Sequence, residues 1–395
     1  MSAPPIVVQK FGGTSVSTPE RRRQVVDHVR REQAGGRRVA VVVSAMGRRG
    51  DPYATDTLLD ILRSDGGAVD PADYDLMFVC GEMISTALLS QTLKRAGVAA
   101  CGLSAVQARI FTDGRHLESE VTTIETDRLA ALMAGGIVPV VCGGQGVTPG
   151  HLDFTTLGRG GSDTSAVALG AALGAERVDI FTDVDGVLTT DPRIVPNARL
   201  LARLSYRSCL ELARFGARVV HPRAIACAAR TGMPVRVRST FSPGPGTVIG
   251  DVSDDGPVAG IALLPAVRTV SLGAPPIATA TPADWECRAP VLILRDASGE
   301  RWLAGAPPDQ AGALADVLAS MIEPSRSQPI EVHAWVSAVG DSAVLAARHA
   351  ESLRVLAGAD CPPIAAGVED ARATFVVEAS AARRAVAALH RQHFG

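Results

Sequence analysis

A sheet covered by helices, followed by smaller α+β units, is the fold class that three features of the sequence predict. Over residues 1–250, short β-branched runs alternate with longer amphipathic stretches, the pattern of an α/β layered fold. Glycine-rich and charged signals fall where the runs end and the stretches begin, which is where open α/β sheets bind ligands. Near Ser242-Pro243-Gly244-Pro245-Gly246 this texture breaks, and a shorter alternation, rich in Ala and Pro, follows.

Taken in order, Ile6 to Lys10, Arg38 to Ser44, Ala99 to Leu103, Ile137 to Cys142 and Val178 to Thr182 read as strands, each a short apolar run. Pro19 to Gln33, Thr55 to Arg63, Asp73 to Arg95, Thr126 to Met133 and Ser162 to Leu173 read as helices, several opened by Ser, Thr or Asp caps. After a polar link at Asp251 to Gly256 come strands at Arg268 to Leu272, Pro290 to Leu294, Val332 to Val339 and Ala373 to Glu378. Helices are expected at Gln310 to Met321, Ser342 to Leu356 and Ala381 to His390. The expected division is a first domain at 1–250 and a second region at 257–395, split roughly into 257–325 and 330–395.

With 395 residues the chain exceeds the ~250 to 300 that one core usually serves, so more than one domain is expected. An apolar fraction of 47% and a charged fraction of 20% describe a well-buried globular protein. Net charge is -2 and no basic block carries interleaved aromatics, which points away from nucleic-acid and membrane surfaces. The run Arg21-Arg22-Arg23 reads as the solvated side of a helix. Seven scattered cysteines without a C-x-x-C pair fit a reducing compartment. No signal peptide and no run of 18 apolar residues is visible, so a cytoplasmic location is expected.

Of 39 Lys and Arg residues only Lys10 and Lys94 are lysines, and Lys10 ends an apolar run at Lys10-Phe11-Gly12-Gly13-Thr14-Ser15. A compact ammonium enters a phosphate cluster as a point charge where a guanidinium needs a wider space. Lys10 therefore reads as a phosphate ligand. Ser44-Ala45-Met46-Gly47 ends a strand in small residues and offers a hydroxyl at Ser44, which ordinary turn chemistry explains equally well. Glu82 is one carboxylate inside an apolar helix; its partner is either a substrate ammonium or a structural arginine. Gly158-Arg159-Gly160-Gly161-Ser162-Asp163 is the strongest segment, because glycines admit a ligand to the backbone and Arg159 can hold a carboxylate in bidentate fashion. Asp163 would orient Lys10 or a metal-bound water. Thr182-Asp183-Val184-Asp185-Gly186 suits a nucleotide with its magnesium, or a plain acidic turn. No P-loop, Rossmann turn, zinc motif or Ser-His-Asp set is present.

Together with Arg236-Val237-Arg238-Ser239, these six co-linear motifs resemble those of the aspartate kinases, members of the amino acid kinase superfamily. The resemblance covers about the first 250 residues. It implies a three-layer α/β/α sandwich followed by ferredoxin-like ACT domains that bind effectors and build a homodimer or larger homo-oligomer. It also implies transfer of the ATP γ-phosphoryl to the side-chain carboxylate of L-aspartate, with Mg²⁺ carried by the nucleotide and no protein metal site. That reaction opens the aspartate-derived amino acid pathway toward lysine and threonine.

By the same resemblance, Lys10, Gly12, Gly13, Thr14 and Ser15 face the phosphates, and Asp163 positions Lys10. Ser44, Thr55, Glu82, Arg159 and Gly160 hold aspartate, although the longer loop before Thr55 leaves Thr57 as an alternative. Thr182, Asp183, Leu188, Arg193 and Arg218 hold ATP. Leu188 stands where many members have tyrosine, and Arg218 where the family usually has lysine. The second region departs further. Trp335 to Gly340 and the helix from Ala381 resemble the last ACT domain, but the intervening turn reads Asp341-Ser342-Ala343-Val344, and Ala274 to Ala289 is an Ala- and Pro-rich replacement. Weak or absent feedback inhibition is therefore expected. Two other readings stay open: a paralogue acting on another amino acid or carboxylate, and a nucleotide-binding subunit without turnover.

Overall fold

The computed structural model describes residues 3–64, 66–217, 219–272, 292–295, 302–306 and 331–395. The expected features at Ala274 to Ala289 and Gln310 to Met321, and residue Arg218, lie outside the described residues. Two compact units form, Met1–Gly186 with Arg223–Asp251, and Val187–Pro222 with Val252–Gly395.

In the first unit the strands run Thr247–Gly250, Val235–Ser239, Arg177–Thr182, Ile6–Phe11, Arg38–Val43, Val138–Cys142, Ala100–Leu103 across the sheet. All neighbours are parallel except Thr247–Gly250, which returns antiparallel on Val235–Ser239. Parallel pairing forces each connection to cross the sheet, and helices make most of those crossings. Alternation along Ile6–Phe11 sends Phe11 and Lys10 to opposite faces. On the Phe11 side, Val39, Val41, Val43, Val138, Val140 and Phe181 pack against Val25, Val26 and Val29 of helix Pro19–Ala34 and Leu89 and Leu93 of helix Pro71–Arg95. On the Lys10 side, helix Gly161–Ala172 lies against the strands. The unit is thus the expected α/β/α sandwich.

Helix Pro71–Arg95 is long and apolar enough to cross a membrane by length and composition alone. It instead buries Asp75, Val79, Glu82, Leu89 and Leu93 within the sandwich, as a core helix does. A small side sheet, in the order Val121–Ile124, Ile110–Thr112, Gln145–Val147, Phe154–Thr156, escaped the sequence reading. Its strands hold three or four residues each, too few to show a period.

The second unit carries one antiparallel sheet in the order Leu292–Arg295, Trp302–Ala306, Val258–Leu272, Glu331–Gly340, Arg372–Glu378, Ala365–Glu369. Its strands come from both expected subregions, so the two ACT-like portions share a sheet. Strand Val258–Leu272 is longer than the expected Arg268 to Leu272; Pro265 falls between Leu264 and Val267, where the register shifts, because proline has no N–H for the ladder. Helices Ser342–Gly358 and Ala382–Phe394 cover one face through Leu345, Leu356, Ala385, Val386 and Leu389, against Ala334, Val336, Ala338 and Phe375.

Segment Val187–Pro222, which the sequence reading places in the first domain, belongs to this second unit. Hydrogen bonding explains the reassignment. Ile261 N–H donates to Thr189 O at 2.7 Å, the Thr189 hydroxyl meets His390 Nε2 at 2.9 Å, and Arg372 pairs with Glu211 while stacking over Phe215 at 4.2 Å.

A buried charge network ties strand to helix in the first unit. Asp179, with no exposed surface, accepts from Arg236 Nε and Nη2 at 2.8 Å each and from Arg177 Nε at 3.0 Å, and Arg177 Nη2 reaches Glu32 at 2.6 Å. The facing carboxylates hold the Arg177 guanidinium charged even though burial works against it. Removing one partner of a buried network strands the others. Asp179→Ala should lower unfolding stability by about 2 to 3 kcal/mol, toward the low end because both guanidiniums keep some solvent contact. Denaturant titration of the purified variant measures this, and a loss below about 0.5 kcal/mol, the size of an ordinary surface change, would show the network to be inert.

Candidate active site

Adjacent parallel strands Arg38–Val43, Ile6–Phe11 and Arg177–Thr182 bring three of the sequence motifs to one edge. The turns are stitched together there by backbone hydrogen bonds: Ser44 N–H to Phe11 O at 3.1 Å, Gly12 N–H to Phe181 O at 3.3 Å, and Gly47 N–H to Gly13 O at 3.3 Å. A Cβ on Gly13 would lie 2.4 Å from Ala45 O, so only glycine lets the two turns approach. Phe11 and Phe181 stack at 4.7 Å beneath them.

Lys10 rises from its strand to the helix Gly161–Ala172, where its Nζ lies 2.6 Å from Asp163 Oδ1. Both side chains are only 11% exposed, so the ammonium is held beside the glycine turn with one carboxylate as its counter-charge. Of the two partners left open for Asp163, the structure supplies Lys10. Helix Gly161–Ala172 starts at Gly160 in the left-handed region, and Arg159 just before it is exposed with no ion-pair partner among the described residues.

Glu82 is 2% exposed. Its Oε1 accepts from Ala45 N–H at 3.3 Å and its Oε2 has no partner among the described residues. Among the described residues no arginine neutralises it, and a structural arginine partner is not found there. Burial pushes its carboxyl up to about 8, while the hydrogen bond from Ala45 and its own backbone pull the other way. In its charged form such a buried group needs a cation beside it.

The other expected residues sort by their surroundings. Ser44 and Thr55 carry hydroxyls without partners among the described residues, whereas the Thr57 hydroxyl accepts from Gly50 N–H at 2.9 Å and holds the loop. Ser15, expected at the phosphates, is fully buried with its hydroxyl 2.7 Å from that of Thr240, so it braces the turn from below. Arg21 and Arg22 are not a solvated face. They donate to Thr14 O at 2.8 Å and Val16 O at 2.7 Å, closing the short helix Gly13–Val16. Thr182 and Asp183 sit at their strand end, where Asp183 meets exposed Arg48 at 3.2 Å. Leu188 and Arg193 belong to the second unit, and the Arg193 guanidinium forks onto Asp191 with contacts from 2.7 to 3.1 Å.

Two supports of the Arg159 loop had no motif to announce them. Asp75, buried in the same helix as Glu82, accepts from Thr156 and from the segment at His116 and Leu117. Arg223 donates to Leu157 O at 2.6 Å and Ser119 O at 2.9 Å. An acidic residue two helical turns before Glu82 was the available signal for the first.

Aspartokinases are among the known proteins that this chain resembles. Aspartokinase 1 of Bacillus subtilis is 47% identical over 244 residues, which are 62% of this chain and 60% of that protein. The structure of E. coli aspartokinase III in complex with aspartate and ADP superposes with a TM-score of 0.77 at 25% identity, covering 99% of this chain and 100% of that one. The aspartate kinase of Synechocystis matches with a TM-score of 0.56 at 32% identity, covering 98% of this chain and 69% of that one. The chain spans 58 to 63% of the length of the curated relatives it matches. Residues 5–239 match the amino acid kinase family, and the chain belongs to it.

Proposed function

We propose that this protein transfers the γ-phosphoryl group of MgATP to the side-chain carboxylate of L-aspartate, giving 4-phospho-L-aspartate and ADP. The observation that carries this reading is Glu82, a buried carboxylate with one oxygen unpaired, in the unit that presents Lys10 and Asp163. Relatives of this chain bear the name aspartokinase, and one solved relative holds aspartate and ADP. In the reaction an aspartate carboxylate oxygen bonds to the γ-phosphorus as the bridging bond to ADP breaks. The acceptor is already ionised, so no general base is required and rate must come from alignment and charge.

In this reading Lys10 and the N–H groups of the Gly12-Gly13 turn neutralise charge developing on the phosphoryl oxygens, with magnesium arriving on the nucleotide. Asp163 fixes where the Lys10 ammonium sits. Glu82 receives the substrate ammonium, and Arg159, with Ser44, Thr55 and Gly160 nearby in sequence or at the same strand ends, receives the free carboxylate. Thr182 and Asp183 serve the nucleotide. Pairing of copies through the second unit belongs to the same proposal; its strand Ala365–Glu369 has a neighbour on one side only among the described residues.

Hydroxylamine trapping over a panel of amino acids tests the reaction, because an acyl phosphate yields a hydroxamate. Product with aspartate is the expected result, and product only with another acceptor would overturn the substrate.

Three outcomes follow. Lys10→Arg keeps the charge but moves it off the compact site beside Asp163, and kcat should fall at least about 100-fold. Turnover near that of the parent enzyme would remove Lys10 from the phosphoryl site.

For Glu82 the sign of the pH effect is set by a folded-state value of about 8, above the ordinary 4.5. The neutral acid is favoured by folding, so stability without substrate declines as pH rises from the ordinary value toward 8. Binding an ammonium reverses the preference, so near pH 7 aspartate binding should release a proton from Glu82. Calorimetry in buffers of different ionisation heat should detect that proton in the parent and none in Glu82→Gln, whose ATP affinity should be unchanged. Equal proton release in both proteins would contradict the assignment.

Lysine and threonine at millimolar levels, singly or together, should leave activity nearly intact. The Asp341 side chain already accepts from Val344 N–H at 3.0 Å at the start of helix Ser342–Gly358. Its negative charge stands where an anionic effector group would need those N–H groups. Steep inhibition with bound effector would refute this.

A further inference from the structure

Asp75 is fully buried seven residues before Glu82, two turns along the same face of helix Pro71–Arg95. Its oxygens are completely engaged. Oδ1 accepts from the Thr156 hydroxyl at 2.5 Å, both oxygens accept from Leu117 N–H at 3.2 to 3.3 Å, and Oδ2 faces His116 Nδ1 at 2.8 Å. The three donors come from two segments far apart in sequence. Thr156 ends the strand that leads into the Arg159 loop, and Leu117 lies in the connection beside it.

Leu117 has φ of 70°, a conformation that a branched side chain adopts at a cost and keeps only when its surroundings hold it there. The Asp75 carboxylate supplies that hold. The strained turn directs the Leu117 carbonyl against Gly158, whose φ is 71° and where a Cβ would lie 2.8 Å from that oxygen. Gly158 in turn precedes Arg159. Arg223 braces the same loop by binding the carbonyls of Leu157 and Ser119. A rigid path therefore runs from Asp75 through Leu117 and Thr156 to the backbone on either side of Gly158.

We propose that Asp75 is a positioning residue for Arg159, holding the guanidinium loop at a set distance from Glu82 so that one helix fixes the spacing between the two groups that meet the ammonium and the free carboxylate of the acceptor. This inference rests on the acceptor assignment made above. The helix contributes Glu82 directly at one end and, through Asp75, the loop at the other. A purely structural carboxylate would stabilise the fold and leave no trace in which substrate is affected. A positioning carboxylate acts only through Arg159.

Asp75→Asn, Arg159→Ala and the double variant in the full chain test this, with His116→Ala as a milder break of the same network should Asp75→Asn fold poorly. Aspartate and MgATP affinities are measured by calorimetry beside KM and kcat from hydroxamate formation. Asp75→Asn should weaken aspartate at least 10-fold while MgATP affinity changes less than 2-fold. In the Arg159→Ala background the same substitution should cost less than 3-fold, since the residue it positions is gone. His116→Ala should show the same selective pattern at smaller size. Penalties that multiply in full in the double variant, or equal losses of both ligands, would overturn the inference. Parent enzyme inert toward aspartate would instead overturn the acceptor assignment itself.

Discussion

The contact between Lys10 and Asp163 is the constraint on which the rest of the site is arranged. It joins a central parallel strand to the helix Gly161–Ala172 packed against it. Both side chains are only 11% exposed, and a buried charge needs its counter-charge close by, which the 2.6 Å contact supplies to each. The pairing also sets the spacing between the Gly12-Gly13 turn and the Arg159 loop, because Asp163 stands four residues beyond Arg159 at the start of its helix. The glycine turn and the Arg159 loop are thus registered through one ion pair.

Two buried carboxylates of the first unit solve opposite problems. Asp179 is buried with two arginines, so its charge is spent on holding strand and helix together. Glu82 is buried with no cation beside it among the described residues. Both cost desolvation; only one recovers it within the folded chain. The uncompensated group lies beside the backbone that follows strand Arg38–Val43, and the compensated one lies within the strands.

Legibility in the sequence followed the length of each signal. Strand Ile6–Phe11 was readable as a short apolar run and helix Thr55–Arg63 because its period runs over enough residues, and the glycine turns were readable because glycine and charge rarely meet there by chance. Strands such as Phe154–Thr156 and Gln145–Val147 are too short to carry a period, and Val187–Pro222 changed units because its partners, Ile261 and His390, lie far along the chain. The site divided in the same way. Lys10, Glu82, Arg159 and Asp163 could be named from local pattern. Asp75 could not, since two of its partners are a backbone N–H and a histidine some 41 residues on, and neither leaves a motif. Ser15 was expected at the phosphates through the resemblance to the aspartate kinases; only the fold brings Thr240 beneath it.

The state of Glu82 bears on how an acceptor would be chosen in the proposed reaction. A dicarboxylate lacking the ammonium could occupy the Arg159 side and present a carboxylate to the phosphoryl group, so anion recognition alone would not exclude it. It would leave Glu82 either protonated or charged and unpaired in a buried place. At pH values above about 8 the second case applies, and the cost is that of an unsatisfied buried carboxylate. A site that must hydrogen-bond a substrate group rejects analogues lacking it far more strongly than a site that merely fits them. Rejection would therefore sharpen as the solution becomes more basic. Below that range the neutral acid tolerates an uncharged neighbour, and discrimination should relax. The raised value of Glu82 follows from burial alone; the same burial that destabilises the free protein is what would make the ammonium a requirement for binding and not an accessory to it.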